Sequence, residues 1–314
     1  MEKRLKAVVI VIITAVIIGI GVWVLRGKFL SQSDSESDET IQEQAEKDDT
    51  ETMTETTTEQ KKPDKEQIEW NSEWTYAENS KIHTGTATLY YTQSDKYSDP
   101  KTICINAGHG TEGGSSERTL CHPDGSAKVT GGSTAEGAIK ATAINEGTTL
   151  LDGTSEADAN LKVAVLVKEK LLEEGFHVLM IRESEDVQLD NIARTVIANN
   201  NADCHISIHY DSTESDKGAF YISVPDDDTY RSMEPVASHW EEHQALGQAL
   251  ISDMEEVGVK IYGGGSMAID LTQTSYSTIP SVDLEVGDCA SSVDDATLES
   301  IAEGITNGVN SYFK

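Results

Sequence analysis

Two histidines and two glutamates in this sequence have the side chains that a hydrolytic metal site needs: His109, Glu156, His209 and Glu285. Hydrolytic zinc sites use three protein ligands, drawn from histidine and carboxylate side chains, and leave the fourth position to water. A further carboxylate beside the metal can act as the general base. These four residues therefore suit one zinc-dependent hydrolytic site if the fold brings them together.

Strand-like and helix-like segments alternate from residue 101 to residue 314. The predicted strands are 102–108, 176–182, 204–209, 219–224 and 281–286, and the predicted helices are 156–174, 189–200, 238–256 and 294–313. This alternation is typical of an α/β domain. We expect residues 101–314 to form a catalytic domain that has a mostly parallel, twisted sheet with helices on both faces.

The four candidate residues lie at the ends of these predicted elements. His109 follows the first strand, His209 closes the third, Glu285 lies near the end of the last strand, and Glu156 opens the first long helix. In open α/β sheets, ligands bind beyond the carboxyl ends of the strands. We therefore expect the four side chains to meet at one edge of the sheet, although any one of them alone would more often be structural.

Several motifs in residues 101–314 occur in an order that resembles a known family. They are Asn106-Ala107-Gly108-His109-Gly110, Glu156-Ala-Asp-Ala-Asn160-Leu161, Gly175-Phe-His-Val with Arg182, Arg194 with Ala198-Asn199 and Ala202-Asp203, Ser207-Ile208-His209, and PSVDLEVG at 280–287. The ordered set resembles the zinc-dependent N-acetylmuramoyl-L-alanine amidases of catalytic type 3, found among cell-separation and spore-cortex hydrolases. Each motif alone is common, whereas the ordered set is specific.

This resemblance implies a role for each candidate residue. His109, Glu156 and His209 would bind zinc (Zn2+), and Glu285 would be the catalytic carboxylate. The implied substrate is peptidoglycan, cut at the amide between N-acetylmuramic acid and the L-alanine of the stem peptide. Such a zinc ion polarises the amide carbonyl and activates water, while the carboxylate moves a proton to the departing amine.

The sequence departs from the family pattern at three places. Thr111 follows the first glycine after His109, and Tyr210-Asp211 follows the third ligand, so we expect substrate contacts that differ from those of the family. Residues 111–155 form a Gly-, Ser- and Thr-rich insertion, for which a lid, a specificity loop and an exposed insertion without function all remain open. Within it, Glu146 could be mistaken for the second ligand, but Asn160-Leu161 follow Glu156 at the expected offset.

Two other functions compete with this interpretation. His239, Glu242 and His243 form an H-x-x-E-H string on a predicted helix, the pattern of inverted zinc peptidases. Ordinary surface residues at a helix start explain this short string better. A noncatalytic or gated wall-binding regulator on the amidase fold is the other alternative. It would be marked by the loss of a ligand or of Glu285, yet all four residues are present.

The N-terminal third of the sequence predicts export. The 19 apolar or small residues from Ala7 to Leu25 lie between basic residues and can span a bilayer, so residues 1–31 are expected to be an uncleaved signal anchor. Residues 32–66 read as a disordered acidic linker and residues 67–100 as a short pre-domain segment. We expect a single-pass cell-membrane protein with an extracellular catalytic domain on the cell-wall side.

The net charge limits the partners that this protein can bind, and the cysteines limit the disulfides that it can form. The formal net charge of -31, from 55 acidic and 24 basic residues, argues against nucleic-acid binding. Peptidoglycan and the membrane are the expected partners, and the sequence identifies no activating protein. Cys104, Cys121, Cys204 and Cys289 leave two alternatives open: a disulfide that joins the loops of Cys121 and Cys289, or unpaired buried thiols.

Overall fold

A central sheet runs through the described part of the chain, which comprises residues 64–314 of the computed structural model. The strands are β1 (Lys65–Ile68), β2 (Ala87–Tyr90), β3 (Thr102–Ala107), β4 (Arg118–Leu120), β5 (Lys140–Thr142), β6 (His177–Met180), β7 (Cys204–Asp211), β8 (Ala219–Ser223), β9 (Ile261–Ala268) and β10 (Ser281–Asp288). Eight of them form one sheet in the order β1-β2-β6-β3-β7-β10-β8-β9. The predicted anchor and the linker up to residue 63 lie outside the described residues.

The sheet is mixed, so the expectation of a mostly parallel sheet is wrong. The four central strands β6, β3, β7 and β10 are parallel to one another, but β1 with β2, β2 with β6, and β8 with β10 pair antiparallel. Only residues 212–218 join β7 to β8. This connection is too short for the crossover that parallel strands need, so β8 runs in the opposite direction to β7 and β10.

The predicted pre-domain segment contributes to the same sheet. β2 lies beside β6, and β1 pairs with β2 from Lys65 onward, so the sheet includes the last residues of the predicted linker. Asp190 anchors the segment, because its Oδ2 accepts hydrogen bonds from the backbone N–H groups of Lys81 (2.6 Å) and Ile82 (3.0 Å). Its Oδ1 accepts from the backbone N–H of Ala193 (2.8 Å) and so caps a helix as well.

Helices cover both faces of the sheet. They are α1 (Glu156–Glu173), α2 (Asn191–Asn201), α3 (Asp228–Arg231), α4 (Val236–Glu256), α5 (Thr272–Tyr276) and α6 (Asp295–Tyr312). On one face, α1, α4 and α6 bury a core against alternate residues of the central strands, among them Ile105 and Ile206. On the other face, α2 packs Ala193 and Ile197 against Cys104. The alternation of buried side chains along each strand thus supplies two cores.

The insertion is folded and packs against the domain. β4 and β5 form a separate two-stranded sheet within residues 111–155. The buried carboxylate of Asp270 accepts hydrogen bonds from Lys128 Nζ (2.8 Å) and from the backbone N–H of Val129 (2.7 Å), and it lies 3.1 Å from His122 Nε2. The insertion is therefore held by a buried ion cluster.

Two further sequence expectations concern the cysteines and the membrane. All four cysteines lie within the described range, where each is buried and none forms a disulfide. Within residues 64–314, no helix combines the length and the apolar character that crossing a membrane would require.

Candidate metal centre

Three side chains meet at the carboxyl edge of the central strands. His109 Nε2 lies 2.7 Å from Glu156 Oε1, and His209 Nδ1 lies 3.0 Å from the same oxygen and 3.1 Å from His109 Nε2. The two rings are perpendicular, with an interplanar angle of 88°. One nitrogen or oxygen from each residue thus converges on a common point.

An unusual backbone conformation directs His109 to this point. His109 has φ of 63°, in the left-handed region that residues other than glycine seldom adopt. Its Nδ1 lies 2.9 Å from the carbonyl oxygen of Asn145. Because a carbonyl oxygen can only accept, Nδ1 is the protonated nitrogen, and Nε2 is free to face Glu156.

Two buried arginines hold the turn that carries His109. Arg194 donates hydrogen bonds to the carbonyl oxygens of His109 and Ala107, the latter at 3.0 Å, and to Thr111 Oγ1 at 3.0 Å. Arg182 donates to the carbonyl oxygens of Ala107 (3.2 Å) and Gly108 (3.0 Å). Desolvation lowers the pKa of Arg194 to about 9, so the guanidinium stays charged at neutral pH. Both arginines position backbone and do not reach the metal site.

Glu156 is the first residue of α1, and both of its carboxylate oxygens are held. Oε2 accepts a hydrogen bond from the backbone N–H of Thr148 at 2.8 Å, and Oε1 accepts from that of Tyr210 at 3.3 Å. Burial raises the pKa of Glu156, but its close contacts with His109 and His209 outweigh burial and hold the pKa well below its usual range. The carboxylate is therefore ionised and can act as a ligand at neutral pH.

His209 lies on β7, and its ring packs over the backbone of Gly108, the residue after β3. A Cβ atom on Gly108 would lie 2.2 Å from Cε1 of this ring, so only glycine leaves room for it. Burial lowers the pKa of His209, but Asp283 and then Glu156 outweigh this and raise the pKa to about 10 without metal. The acidic surroundings therefore favour a cation at this position.

Two carboxylates of β10 complete the site. Glu285 pairs with His209 in the β7–β10 register, and its buried Oε2 has no hydrogen-bond partner among the described residues. Burial, followed by the charge of Asp283, raises the pKa of Glu285 well above its usual range. Asp283 was missed in the sequence analysis, although it shares a strand face with Glu285 at a spacing of two residues.

The donor set fits zinc. His109, Glu156 and His209 are the one group of histidine, cysteine or acidic residues in residues 64–314 whose ligand atoms all lie within 4.8 Å of one another. Two imidazoles and one carboxylate match the ligands of hydrolytic zinc sites. Gly147 leaves space beside them, because a Cβ there would lie 2.7 Å from His109 Cδ2.

The rival ligands do not converge. His239 Nδ1 lies 2.9 Å from Glu242 Oε2 on the exposed side of α4, whereas His243 is buried and its Nδ1 accepts a hydrogen bond from the backbone N–H of Ser281 at 2.9 Å. The two imidazole centroids are 6.4 Å apart. Glu146 is exposed, and its Oε1 accepts a hydrogen bond from Ser115 Oγ at 3.2 Å.

Solved amidase structures have a fold similar to that of this chain. The fold is similar to the N-acetylmuramyl-L-alanine amidase Ami1 from Mycobacterium abscessus, with 17% identity, a TM-score of 0.55, and coverage of 68% of this chain and 99% of that one. It is also similar to an N-acetylmuramoyl-L-alanine amidase from Clostridium difficile 630, with 20% identity, a TM-score of 0.50, and coverage of 69% and 98%. Among curated proteins, none matches the chain.

The sequence itself matches a family model. The model describes N-acetylmuramoyl-L-alanine amidases and matches residues 103–311, a range that includes all four candidate residues. The match spans more than half of the sequence and coincides with the domain that carries the His109, Glu156 and His209 cluster. This chain therefore belongs to the N-acetylmuramoyl-L-alanine amidase family.

Proposed function

We propose that this amidase is a zinc enzyme that uses His109, Glu156 and His209 as metal ligands and Glu285 as the proton carrier. Its reaction is hydrolysis of the peptidoglycan amide between N-acetylmuramic acid and L-alanine. The observation that carries the proposal is the convergence of His109 Nε2, Glu156 Oε1 and His209 Nδ1 within 3.1 Å of one another. Glu285 lies beside them, in register with His209.

Each residue has a defined task in this reaction. Zinc held by the three ligands would act as a Lewis acid toward the amide carbonyl and make a water molecule more acidic. Glu285 accepts a proton from the attacking water and returns it to the amide nitrogen as the carbon–nitrogen bond breaks. The products are a carboxylate on the lactyl group of the sugar and a free amino group on L-alanine.

The environment of Glu285 suits this task. Its buried Oε2 is not engaged by any described residue, so it can accept a proton without first breaking a hydrogen bond. Burial and then the charge of Asp283 raise the pKa of Glu285, which increases its affinity for a proton.

Peptidoglycan cleavage by the purified full-length chain tests the proposal. We expect new muropeptides with free L-alanine amino ends, identified by mass spectrometry, and loss of this product in Glu285→Gln. The matched control is Glu242→Gln, which makes the same change on exposed α4 and should retain activity. Activity that survives in Glu285→Gln but is lost in Glu242→Gln would instead favour the peptidase alternative.

We also propose that residues 1–31 anchor the enzyme in the cell membrane with the catalytic domain on the cell-wall side. The support is the apolar run Ala7–Leu25 with its basic flanks. Cell fractionation and protease accessibility on intact cells test it. A chain without residues 1–31 should leave the membrane fraction, and a truncated chain that stays there in active form would refute the anchor.

A further inference from the structure

Asp283 lies on β10 at a position that faces the metal site. It pairs with Ser207 of β7. This pair lies two residues before the pair formed by Glu285 and His209 on the same two strands. The neighbouring residues Val282 and Leu284 point to the opposite face, where they join the larger core. Strand alternation therefore directs Asp283 and Glu285 to the same face, next to His209.

The two ring nitrogens of His209 face different partners. Nδ1 faces the ligand cluster, at 3.0 Å from Glu156 Oε1. Nε2 faces Asp283 Oδ2 at 3.7 Å, a distance within ion-pair range but longer than a hydrogen bond. The second oxygen of Asp283, Oδ1, is buried and has no hydrogen-bond partner among the described residues.

A structural role does not account for this carboxylate. Asp288, on the same strand, shows how a structural aspartate is held, because its oxygens accept hydrogen bonds from the backbone N–H groups of Ala290 (2.9 Å) and Lys217 (2.8 Å). Asp283 has no such bonds, and the described structure gives it one ion-pair partner, His209. Burying a carboxylate oxygen without a partner costs stability, so this arrangement calls for a functional reason.

We propose that Asp283 is a positioning residue for His209 in the metal-bound enzyme. When Nδ1 of His209 binds the metal, Nε2 carries the proton and is directed at Asp283. The carboxylate then fixes the tautomer and orientation of the ring and makes it a stronger donor to the metal. This inference rests on the proposed zinc function and deepens it, since it explains how one ligand is held.

The parallel with His109 supports this role. Nδ1 of His109 is directed at the carbonyl oxygen of Asn145, which leaves Nε2 for the metal. In His209 the two ring nitrogens exchange these tasks. Nε2 would be directed at Asp283, which leaves Nδ1 for the metal. Histidine ligands in metal sites almost always direct their second nitrogen to a carboxylate, a carbonyl or water. Each histidine of this site would thus have its own acceptor.

Zinc affinity of Asp283 variants tests the proposal independently of catalysis. The full-length chain, Asp283→Asn and Asp283→Leu would be stripped of metal and titrated with zinc against a chromophoric chelator. We expect zinc affinity to fall ~10–100-fold in Asp283→Leu and by less in Asp283→Asn, whose amide oxygen can still accept the Nε2 proton. Glu146→Gln, a carboxylate change close to the site but outside it, should bind zinc like the unaltered chain.

Thermal unfolding of the metal-free proteins separates positioning from ordinary structural support. We expect both Asp283 variants to unfold close to the temperature of the unaltered chain, because losing the ion pair with His209 and removing the cost of a buried charge act in opposite directions. Weaker zinc binding together with a lower metal-free unfolding temperature would overturn the proposal, and so would unchanged zinc affinity in both variants. An unaltered chain that binds no zinc would instead refute the proposed zinc function itself.

Discussion

The imidazole of His209 occupies the space that a side chain at Gly108 would need. A Cβ atom there would lie 2.2 Å from Cε1 and 2.4 Å from Nε2 of the ring. Arg182 holds the carbonyl oxygen of Gly108 at 3.0 Å, so the backbone cannot easily move away. The glycine next to the first candidate ligand therefore determines where the third one can lie.

Gly108→Ala should displace His209 and weaken zinc binding. Filling this space should cost ~1–3 kcal/mol of stability as well, as overpacking commonly does. Chelator competition and chemical denaturation measure the two effects. Gly264→Ala is the matched control, because a Cβ at that position meets no atom within 4 Å. Normal zinc affinity in Gly108→Ala would show that His209 does not depend on this close approach.

Arg194→Lys should destabilise the turn that carries His109. Lysine keeps the charge but cannot reproduce the guanidinium bonds to His109, Ala107 and Thr111, so buried acceptors lose their donors. We expect the free energy of unfolding to fall by ~3 kcal/mol, measured by urea denaturation. Arg118→Lys, the same change at an exposed position of the insertion, should have little effect. Equal losses in both variants would contradict the role of Arg194.

Asp270→Asn should loosen the insertion in a pH-dependent way. Burial raises the pKa of Asp270, but bonds from His122, Lys128 and Thr130 outweigh it and hold the pKa well below its usual range. A carboxyl with a lowered folded-state pKa adds stability above its unfolded pKa of about 3.9, and this stability is lost as pH falls through the folded pKa.

Urea denaturation over a pH series measures this difference. The advantage of the unaltered chain over Asp270→Asn should be complete above about pH 5 and should shrink at lower pH. Asp226→Asn, which alters an exposed ion pair with Arg231, should change stability by no more than ~1 kcal/mol. An Asp270→Asn loss that is equal at all pH values would contradict the charged cluster.

Zinc should stabilise the protein only through the proposed ligands. At a free zinc concentration ~100 times the dissociation constant, binding should add ~2.7 kcal/mol to the free energy of unfolding. His209→Ala should abolish the resulting shift in the unfolding temperature, whereas His239→Ala should keep it. Differential scanning calorimetry with and without zinc measures both. A shift lost in His239→Ala and retained in His209→Ala would identify α4 as the metal site.

The α/β class and the candidate residues are accessible from the sequence because they depend on local patterns. The motif around His109 and the helix start at Glu156 can be read directly, and the strand-end rule suggests that they meet. The direction of β8 follows from the short connection of residues 212–218 to β7, which excludes a parallel crossover. β9 was missed because Gly263, Gly264 and Gly265 give it a low strand propensity.

Other features depend on contacts between distant residues. The insertion is held by Asp270, which lies far along the chain from His122 and Lys128, so no local pattern predicts the cluster. Asp283 could have been found by its spacing from Glu285 on one strand. Its proximity to His209 requires the β7–β10 register, which the sequence does not specify.

Anomalous diffraction at the zinc edge from crystals of the zinc-loaded chain tests the central claim most directly. The account predicts one strong peak, about 2.0–2.2 Å from His109 Nε2, Glu156 Oε1 and His209 Nδ1. Glu285 should lie beside the peak without replacing any of these ligands. A peak at His239 and His243, or no peak at the three-residue site, would contradict the account.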